Sequence, residues 1–139
     1  SEPKYMQWSL TMVGSGPEEA KLQALASGDV RISFTGAISY ADLGSYYIAA
    51  DVLVVPSSRE PWGLVVNEAL GFGLHVIASD AVGAAVDLIS PTSGTVFPSG
   101  DVAALAHAMR ASGIFTDRRP RRAATSTPDL MLEALDDAH

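Results

Sequence analysis

Residues 52–79 read "VLVVPSSREPWGLVVNEALGFGLHVIAS" and join two apolar runs through a segment with helical spacing. "VLVVP" is continuously apolar and rich in valine, which is typical of a strand buried on both faces of a sheet. The part after Trp62 predicts a helix, and "HVIAS" at residues 75–79 predicts the next strand. A strand, a helix and a strand joined by short turns predict two parallel strands of one sheet. The segment therefore predicts an α/β fold.

The same alternation continues on both sides of this segment. Strands are predicted at residues 8–13, 30–35 and 95–97, and helices near residues 17–27, 39–50, 83–89 and 101–111. We therefore predict a Rossmann-like parallel sheet with helices on both faces, in a domain of residues 8–112. Residues 113–139 predict a polar connector and a C-terminal amphipathic helix with four apolar residues at helical spacing, Leu130, Met131, Ala134 and Leu135.

The composition excludes several classes of function. The chain has 139 residues, which suits one domain, and no apolar run approaches the roughly 20 residues that cross a bilayer. Residues 1–8 lack the pattern of a signal peptide, so we expect no integral membrane segment and a cytoplasmic location. The chain has no cysteine and its three histidines are scattered, so no metal site is expected.

The charge is unevenly distributed along the chain. The net charge is −7, but four of the nine basic residues lie together, at Arg118, Arg119, Arg121 and Arg122. The rest of the chain is strongly acidic, and we therefore expect no binding of nucleic acid. The arginine cluster has two interpretations, a solvated connector before the last helix or a docking site for an anionic partner.

Two glutamates, Glu60 and Glu68, lie eight positions apart around the start of the helix after Trp62. In parallel sheets ligands bind at the carboxyl ends of the strands, which is where Glu60 is expected. The first N–H groups of the helix, at Gly63, Leu64 and Val65, predict an anion site, and Glu68 follows roughly 7.5 Å along the helix axis. Carboxylates accept hydrogen bonds from paired sugar hydroxyls. On spacing alone, an exposed loop glutamate and a solvated helix glutamate explain the pattern equally well.

The longer segment "SSREPWGLVVNEALGFGLHVIASD" resembles the E-x7-E signature region of the GT-B glycosyltransferases of family 4, which are retaining enzymes that use nucleotide sugars. "WSLTMVGSGP" and the segments after it are similar to the family's other units, so that the resemblance covers about residues 8–109. It implies a catalytic contact of Glu60 with the donor sugar and a hydrogen bond of Glu68 with the ribose. It further implies backbone contacts to the diphosphate at Gly63 and Leu64, a nucleobase turn at Gly36, Ala37 and Ile38, and a glycine turn near the interdomain cleft at Gly14 and Gly16.

The resemblance also implies what this chain lacks. The carboxyl-terminal domain of the family normally begins one βα unit earlier, and that missing first strand is central in the sheet. We therefore expect either a different pairing of the remaining strands or another chain in that place, for which a homo-oligomer is one solution. The acceptor-binding amino-terminal domain is also absent from the sequence, so we expect an inactive isolated chain that needs this domain in cis or in trans.

The leading hypothesis is the donor-binding half of a retaining glycosyltransferase. The enzyme would transfer a hexose from a UDP-, GDP- or ADP-sugar to an acceptor hydroxyl, with no cofactor and no metal. One alternative is a noncatalytic module that binds a nucleotide or sugar, or that serves assembly. Another is a nicotinamide-dependent oxidoreductase, against which the sequence speaks because Glu19 stands where the third glycine of G-x-G-x-x-G belongs.

Overall fold

The computed structural model describes residues 8–56, 64–115 and 121–125. In this part of the chain strands and helices alternate, in the order β1 (Trp8–Val13), α1 (Glu19–Leu25), β2 (Ile32–Gly36), α2 (Tyr40–Ala49), β3 (Val52–Val55), α3 (Leu64–Gly71), β4 (His75–Ser79), α4 (Gly83–Leu88), β5 (Gly94–Phe97), α5 (Val102–Ala111) and β6 (Arg121–Thr125). The predicted alternation of strands and helices is confirmed. No helix within these ranges is long and apolar enough to cross a bilayer.

The six strands form one parallel sheet in the order β2-β1-β6-β3-β4-β5. Each of α1 to α4 follows one strand and precedes the next, which is the usual connection between parallel strands. The amino termini of these helices therefore face the same edge of the sheet as the carboxyl ends of the strands. This arrangement confirms the predicted Rossmann-like sheet.

The sheet divides the core into two layers. Along β3, Val52 and Val54 face the layer that includes Leu22 of α1 and Leu105 of α5. Leu53 and Val55 face the opposite layer, in which side chains of α2, α3 and α4 pack. Side chains of a strand alternate between the two faces, and here both faces are apolar. The predicted cover of helices on both faces is confirmed.

The central strand β6 differs from the prediction. Residues 121–125 lie in the predicted polar connector, but the structure pairs them with β1 on one side and with β3 on the other. Asp51 fixes the start of this strand, because its Oδ2 accepts a hydrogen bond from the Arg122 N–H at 2.8 Å and its own N–H donates to the Arg122 carbonyl at 2.8 Å. The connector prediction is therefore wrong for these five residues.

The chain's own β6 thus takes the central place for which we expected different pairing or another chain. The open central edge that suggested a homo-oligomer is not a feature of this sheet. Arg122 is an exposed residue of a strand, while Arg118, Arg119 and the predicted helix at residues 129–139 lie outside the described residues.

Candidate functional site

The turns after β1 and β2 meet at the carboxyl edge of the sheet. The Gly14 N–H donates to the Gly36 carbonyl at 3.2 Å and to Thr35 Oγ1 at 3.1 Å. Gly14 has φ +107° and Gly36 has φ +69°, in the region that favours glycine. The structure therefore brings together two of the glycines predicted to line the site, and their backbone conformation explains why glycine is used there.

The other predicted residues of these two turns have different environments. The Gly16 carbonyl accepts a hydrogen bond from the Glu19 N–H at 3.2 Å and so forms the turn that leads into α1. Ala37 is exposed after β2, whereas Ile38 packs against the core layer beneath α2, α3 and α4. A planar group could therefore approach this turn over Gly36 and Ala37, while Ile38 anchors the turn to the core.

Helix α3 begins at the same edge, after β3 and the buried Pro56. Leu64 is its first residue and is 56% exposed, while Val65 is half-buried against the core. The first N–H groups of any α-helix lack partners within the helix and carry partial positive charge. Glu60 and Gly63, which were predicted to contact the donor sugar and the diphosphate, lie outside the described residues, and their roles stay predictions.

Glu68 is held by a hydrogen bond from a neighbouring helix. Its Oε1 accepts from the Tyr47 hydroxyl of α2 at 3.0 Å. Tyr47 is 5% exposed, and its ring stacks on Phe72 with the ring centroids 5.4 Å apart. Phe72 directly follows α3, and its N–H donates to the Glu68 carbonyl at 3.1 Å, so its side chain projects from the same side as that of Glu68, four positions earlier. Glu68 is therefore an oriented, half-buried carboxylate, and the interpretation of a fully solvated helix glutamate does not fit the structure.

A cavity of about 210 Å³ adjoins this carboxylate between α2 and α3. Its lining consists of Ala41, Leu43, Gly44, Tyr47, Glu68 and Phe72. Glu68 is the acidic group of this lining, and the other side chains are apolar or aromatic. A carboxylate can accept several hydrogen bonds, and one of them comes here from the Tyr47 hydroxyl. The arrangement is suited to a hydroxyl-bearing ligand whose apolar faces contact the cavity wall.

Two further residues, one bonded to Glu68 and one at the carboxyl end of β6, were not found from the sequence. Tyr47 is 21 positions from Glu68 on a different helix, so no local spacing indicates their contact. Thr125 ends β6 and is fully buried, and its hydroxyl has no hydrogen-bond partner within the described ranges. Thr125 could not be found because residues 121–125 were not predicted to form a strand.

An ion pair between Arg31 and Asp29 lies at the opposite edge of the sheet, directly before β2. Arg31 donates to Asp29 from Nε at 2.9 Å and from Nη2 at 2.8 Å, and the side-chain and backbone hydrogen bonds from Arg31 lower the pKa of the Asp29 carboxyl to about 2. The Arg31 guanidinium also lies 4.0 Å from the centroid of the Trp8 ring. This pair precedes β2 and is not part of the carboxyl edge.

Within the described residues, no group of three or more His, Cys, Asp or Glu side chains could hold a metal ion.

Comparison with known proteins places the chain among sugar transferases. The family model described as glycosyl transferases group 1 matches residues 1–112. A solved structure of sucrose-phosphate synthase from Thermosynechococcus elongatus is similar, with a TM-score of 0.66 and 38% identity, over 78% of this chain and 29% of that one. This likeness supports the GT-B resemblance and the Rossmann-like fold.

Curated relatives agree with this placement. The 2-deoxystreptamine N-acetyl-D-glucosaminyltransferase of Streptomyces fradiae is 35% identical over 125 residues, which are 86% of this chain and 29% of that protein. The sulfoquinovosyl transferase of Arabidopsis thaliana is 37% identical over 97 residues, or 67% of this chain and 19% of that protein. A GDP-mannose-dependent alpha-mannosyltransferase of Mycobacterium tuberculosis is 41% identical over 93 residues, or 66% of this chain and 24% of that protein.

The chain thus spans less than a third of the length of each of these relatives. The matched part includes both glutamates of the E-x7-E pattern and all the described strands except β6. Because the family model covers well over half of its residues, this chain belongs to the glycosyl transferases group 1 family.

Proposed function

We propose that this chain binds the nucleotide-sugar donor of a retaining glycosyltransferase at the carboxyl edge of its sheet. The observation that carries the proposal is the Glu68 carboxylate, which Tyr47 orients beside a cavity on α3. The family and the names of the relatives, which are sugar transferases, support the same class of ligand. The donor is proposed to be a UDP-, GDP- or ADP-sugar, and one relative is named as GDP-mannose-dependent.

In this proposal Glu68 accepts hydrogen bonds from the ribose hydroxyls. A hydrogen bond to a charged group contributes roughly 1.5 to 3 kcal/mol, which is a sizeable part of the affinity for a nucleotide. The Tyr47 hydroxyl keeps one carboxylate oxygen in place, so less side-chain freedom is lost when the ribose binds. Tyr47 is thus a positioning residue, and its contact with Phe72 fixes its ring.

The diphosphate lies at the start of α3 in this arrangement. N–H groups of Gly63, Leu64 and Val65 would donate to its oxygens, and the helix dipole would favour its negative charge. The nucleobase would lie over the turn of Gly36, Ala37 and Ile38. The turn of Gly14 and Gly16 would face the reacting end of the donor.

The transfer step breaks the bond between the anomeric carbon and the diphosphate oxygen while the acceptor hydroxyl bonds to the same carbon on the same face. The departing diphosphate carries the electron pair of the broken bond and takes up the proton that the acceptor hydroxyl loses, and the α3 dipole stabilises its charge. Glu60 is proposed as the group that contacts the donor sugar at this centre. The step is proposed to need neither a metal nor a cofactor, and to take place in the cytoplasm.

The acceptor is proposed to bind to an amino-terminal domain that faces this edge in cis or in trans. The relatives are several times longer than the matched part, so there is room in them for such a domain. The 139 residues alone are therefore expected to bind the donor without transferring its sugar. Supplying the second domain would distinguish a donor-binding half from a noncatalytic module, because a noncatalytic module would still show no turnover.

Calorimetric titration of the chain with UDP, GDP, ADP and their glucose or mannose conjugates tests the proposal. One nucleotide is expected to bind, and Glu68→Gln is expected to weaken it by about 10- to 100-fold, the equivalent of one charged hydrogen bond. Asp87→Asn is the matched control, because Asp87 is an exposed carboxylate of α4 outside the cavity. A folded chain that binds none of these ligands, or a Glu68→Gln variant with unchanged affinity, would contradict the proposal.

A further inference from the structure

A second cavity lies on the other face of the sheet, in a groove between α1 and α5. Its volume is about 290 Å³, and its lining is apolar throughout. Met12 of β1 and Ile32 of β2 form its floor, while Leu22 and Leu25 of α1 face Leu105 of α5 across it. Leu25 is 72% exposed, which leaves much of one wall in contact with water. An exposed apolar groove of this kind is typical of a docking surface.

The described helices cover the two faces unequally. Side chains of α2, α3 and α4 pack on one core layer, whereas α1 and α5 provide the helical cover of the layer beneath the groove. Leu22 and Leu105 are buried at the base of this groove, and Leu25 stands exposed above it. The groove therefore lies where one further helix could pack on this face of the sheet.

Strand β6 ends beside the floor of the groove. Thr125 is the last residue of β6 and is paired with Met12, whose side chain lies in that floor. Neighbouring strands are about 4.8 Å apart, so the chain leaves the sheet within one strand spacing of the groove. The segment after Thr125 is thus the part of the sequence best placed to fill the groove.

Residues 126–139 read "STPDLMLEALDDAH" and carry a helix signature. Thr127 is a preferred N-cap residue, and Pro128 is favoured at the first helical position. The four apolar residues predicted from spacing, Leu130, Met131, Ala134 and Leu135, share one face of such a helix. Because successive residues of an α-helix are about 100° apart around its axis, Leu132 would project from the opposite face of such a helix. The segment therefore combines a helix start three residues after β6 with an apolar stripe.

We propose that residues 128–139 form a helix whose apolar stripe docks in the groove between α1 and α5. A connection of about three residues is within the usual range for a strand-to-helix turn. The helix would begin at the carboxyl edge and run alongside α1 and α5. Asp136 and Asp137, about two turns later, would approach Arg110 in the last turn of α5, which adds a favourable charge contact.

Engineered disulfides test the proposal, since the chain has no cysteine of its own. Ala134→Cys is combined with Ala106→Cys on α5 or with Ala26→Cys directly after α1, and both Ala106 and Ala26 line the groove. Each pair is expected to form an intramolecular disulfide on mild oxidation, because cysteines bond when their Cα atoms lie about 4.4 to 6.8 Å apart. Ala134→Cys with Val86→Cys is the control, because Val86 is 59% exposed on α4 of the opposite face.

The two cysteine pairs in the groove are expected to form disulfides about tenfold faster than the control pair. The rates are measured from the gel shift under non-reducing conditions. Equal rates in all three pairs would overturn the proposal. Intermolecular dimers in place of intramolecular bonds would also overturn it, and would assign the groove to a second copy of the chain.

A pair of leucine substitutions gives a second test. Leu135→Asp is expected to speed hydrogen exchange in α1 and α5 by about tenfold and to increase the binding of an apolar dye, because it removes the stripe from the groove. Leu132→Asp places the same charge on the opposite face and is expected to change neither measurement. Equal effects of the two substitutions would contradict the docking. Because the groove lies on the other face from α3, the result does not depend on whether a nucleotide binds.

Discussion

Strands β3 and β6 lie side by side at the centre of the sheet, and both are buried on two faces, but their side chains differ in size. β3 fills the two core layers with valine and leucine. β6 places only Ala123, Ala124 and Thr125 in the same environment, after two arginines. A strand at the centre of a sheet can therefore stabilise it in two ways, by apolar volume or by backbone pairing on both of its edges.

The backbone pairing of β6 has a specific anchor. Asp51 precedes β3 and exchanges two hydrogen bonds with Arg122, one through its side chain and one through its N–H. The Asp51 carbonyl also accepts from the His75 N–H at 3.1 Å, at the start of β4. One residue thus sets the register of three neighbouring strands at their amino ends. Substitutions in the two strands separate the contribution of pairing in β6 from that of volume in β3.

The largest effect is expected for Ala124→Asp in β6. Ala124 is 5% exposed in the layer beneath α2 and α3, so the substitution buries a charge without a partner. We expect the free energy of unfolding to fall by more than about 4 kcal/mol, enough to abolish cooperative thermal unfolding. Ala103→Asp, at an exposed position of α5, is the control and should leave the transition in place. A normal transition for Ala124→Asp would show that β6 is not a central strand.

Val54→Ala in β3 is expected to have an intermediate effect. Val54 is fully buried, and truncation removes two methyl groups and leaves a cavity. The free energy of unfolding should fall by about 2 kcal/mol in a denaturant titration. Val86→Ala, on the exposed side of α4, should change it by less than about 0.5 kcal/mol. Similar values for the two variants would mean that β3 does not stabilise the sheet through apolar volume.

Thr125→Val in β6 is expected to change stability in the opposite direction. The Thr125 hydroxyl is buried without a hydrogen-bond partner among the described residues, and valine has nearly the same shape. The substitution should stabilise the fold by about 1 kcal/mol. Thr35→Val should instead cost about 1 kcal/mol, because Thr35 Oγ1 accepts from the Gly14 N–H and donates to the Gly36 carbonyl at 2.7 Å. A loss of stability in both variants would indicate a partner for Thr125.

The smallest effect is expected far from both strands, at Asp29. The folded-state pKa of this carboxyl is about 2, below its ordinary value of 3.8, so its contribution to stability is present above pH 3.8 and is lost as the pH falls towards 2. Asp29→Asn should lower the thermal midpoint slightly at pH 7, and this difference should shrink markedly by pH 2, where about half of the Asp29 carboxyls in the folded state are protonated. Asp87→Asn, on exposed α4, is the control. A difference in thermal midpoint between Asp29→Asn and the unsubstituted chain that is as large at pH 2 as at pH 7 would contradict this account.

The contrast between β3 and β6 also shows how far the sequence predicts this fold. The runs of valine and isoleucine in β3 and β4 and the capping residue Ser39 of α2 carry strong local signals, and the structure agrees with them. Short runs of alanine carry little preference for strands, and β6 is defined by pairing with strands that are distant in the chain. Such pairing cannot be predicted from local pattern, so its position was missed.

The residues of the candidate site also differ in how far the sequence predicts them. Glu68 and the glycines at positions 14 and 36 were predicted from the family resemblance, whose motifs consist of residues close together in sequence. The contact of Tyr47 with Glu68 and the bridge between the two glycine turns depend on the packing of α2 on α3 and on the pairing of β1 with β2. These contacts join residues 21 or more positions apart, and spacing alone does not indicate them.

The central claim, that Glu68 binds the ribose of a nucleotide, is tested most directly by removing the hydroxyls from the ligand. The affinity of the preferred nucleoside diphosphate is compared with that of its 2′,3′-dideoxy analogue by calorimetry, in the unsubstituted chain and in Glu68→Gln. The account predicts that the chain prefers the ribose form by about 10- to 100-fold and that the variant loses most of this preference. Equal affinity of the chain for both ligands, or a full preference in the variant, would contradict it.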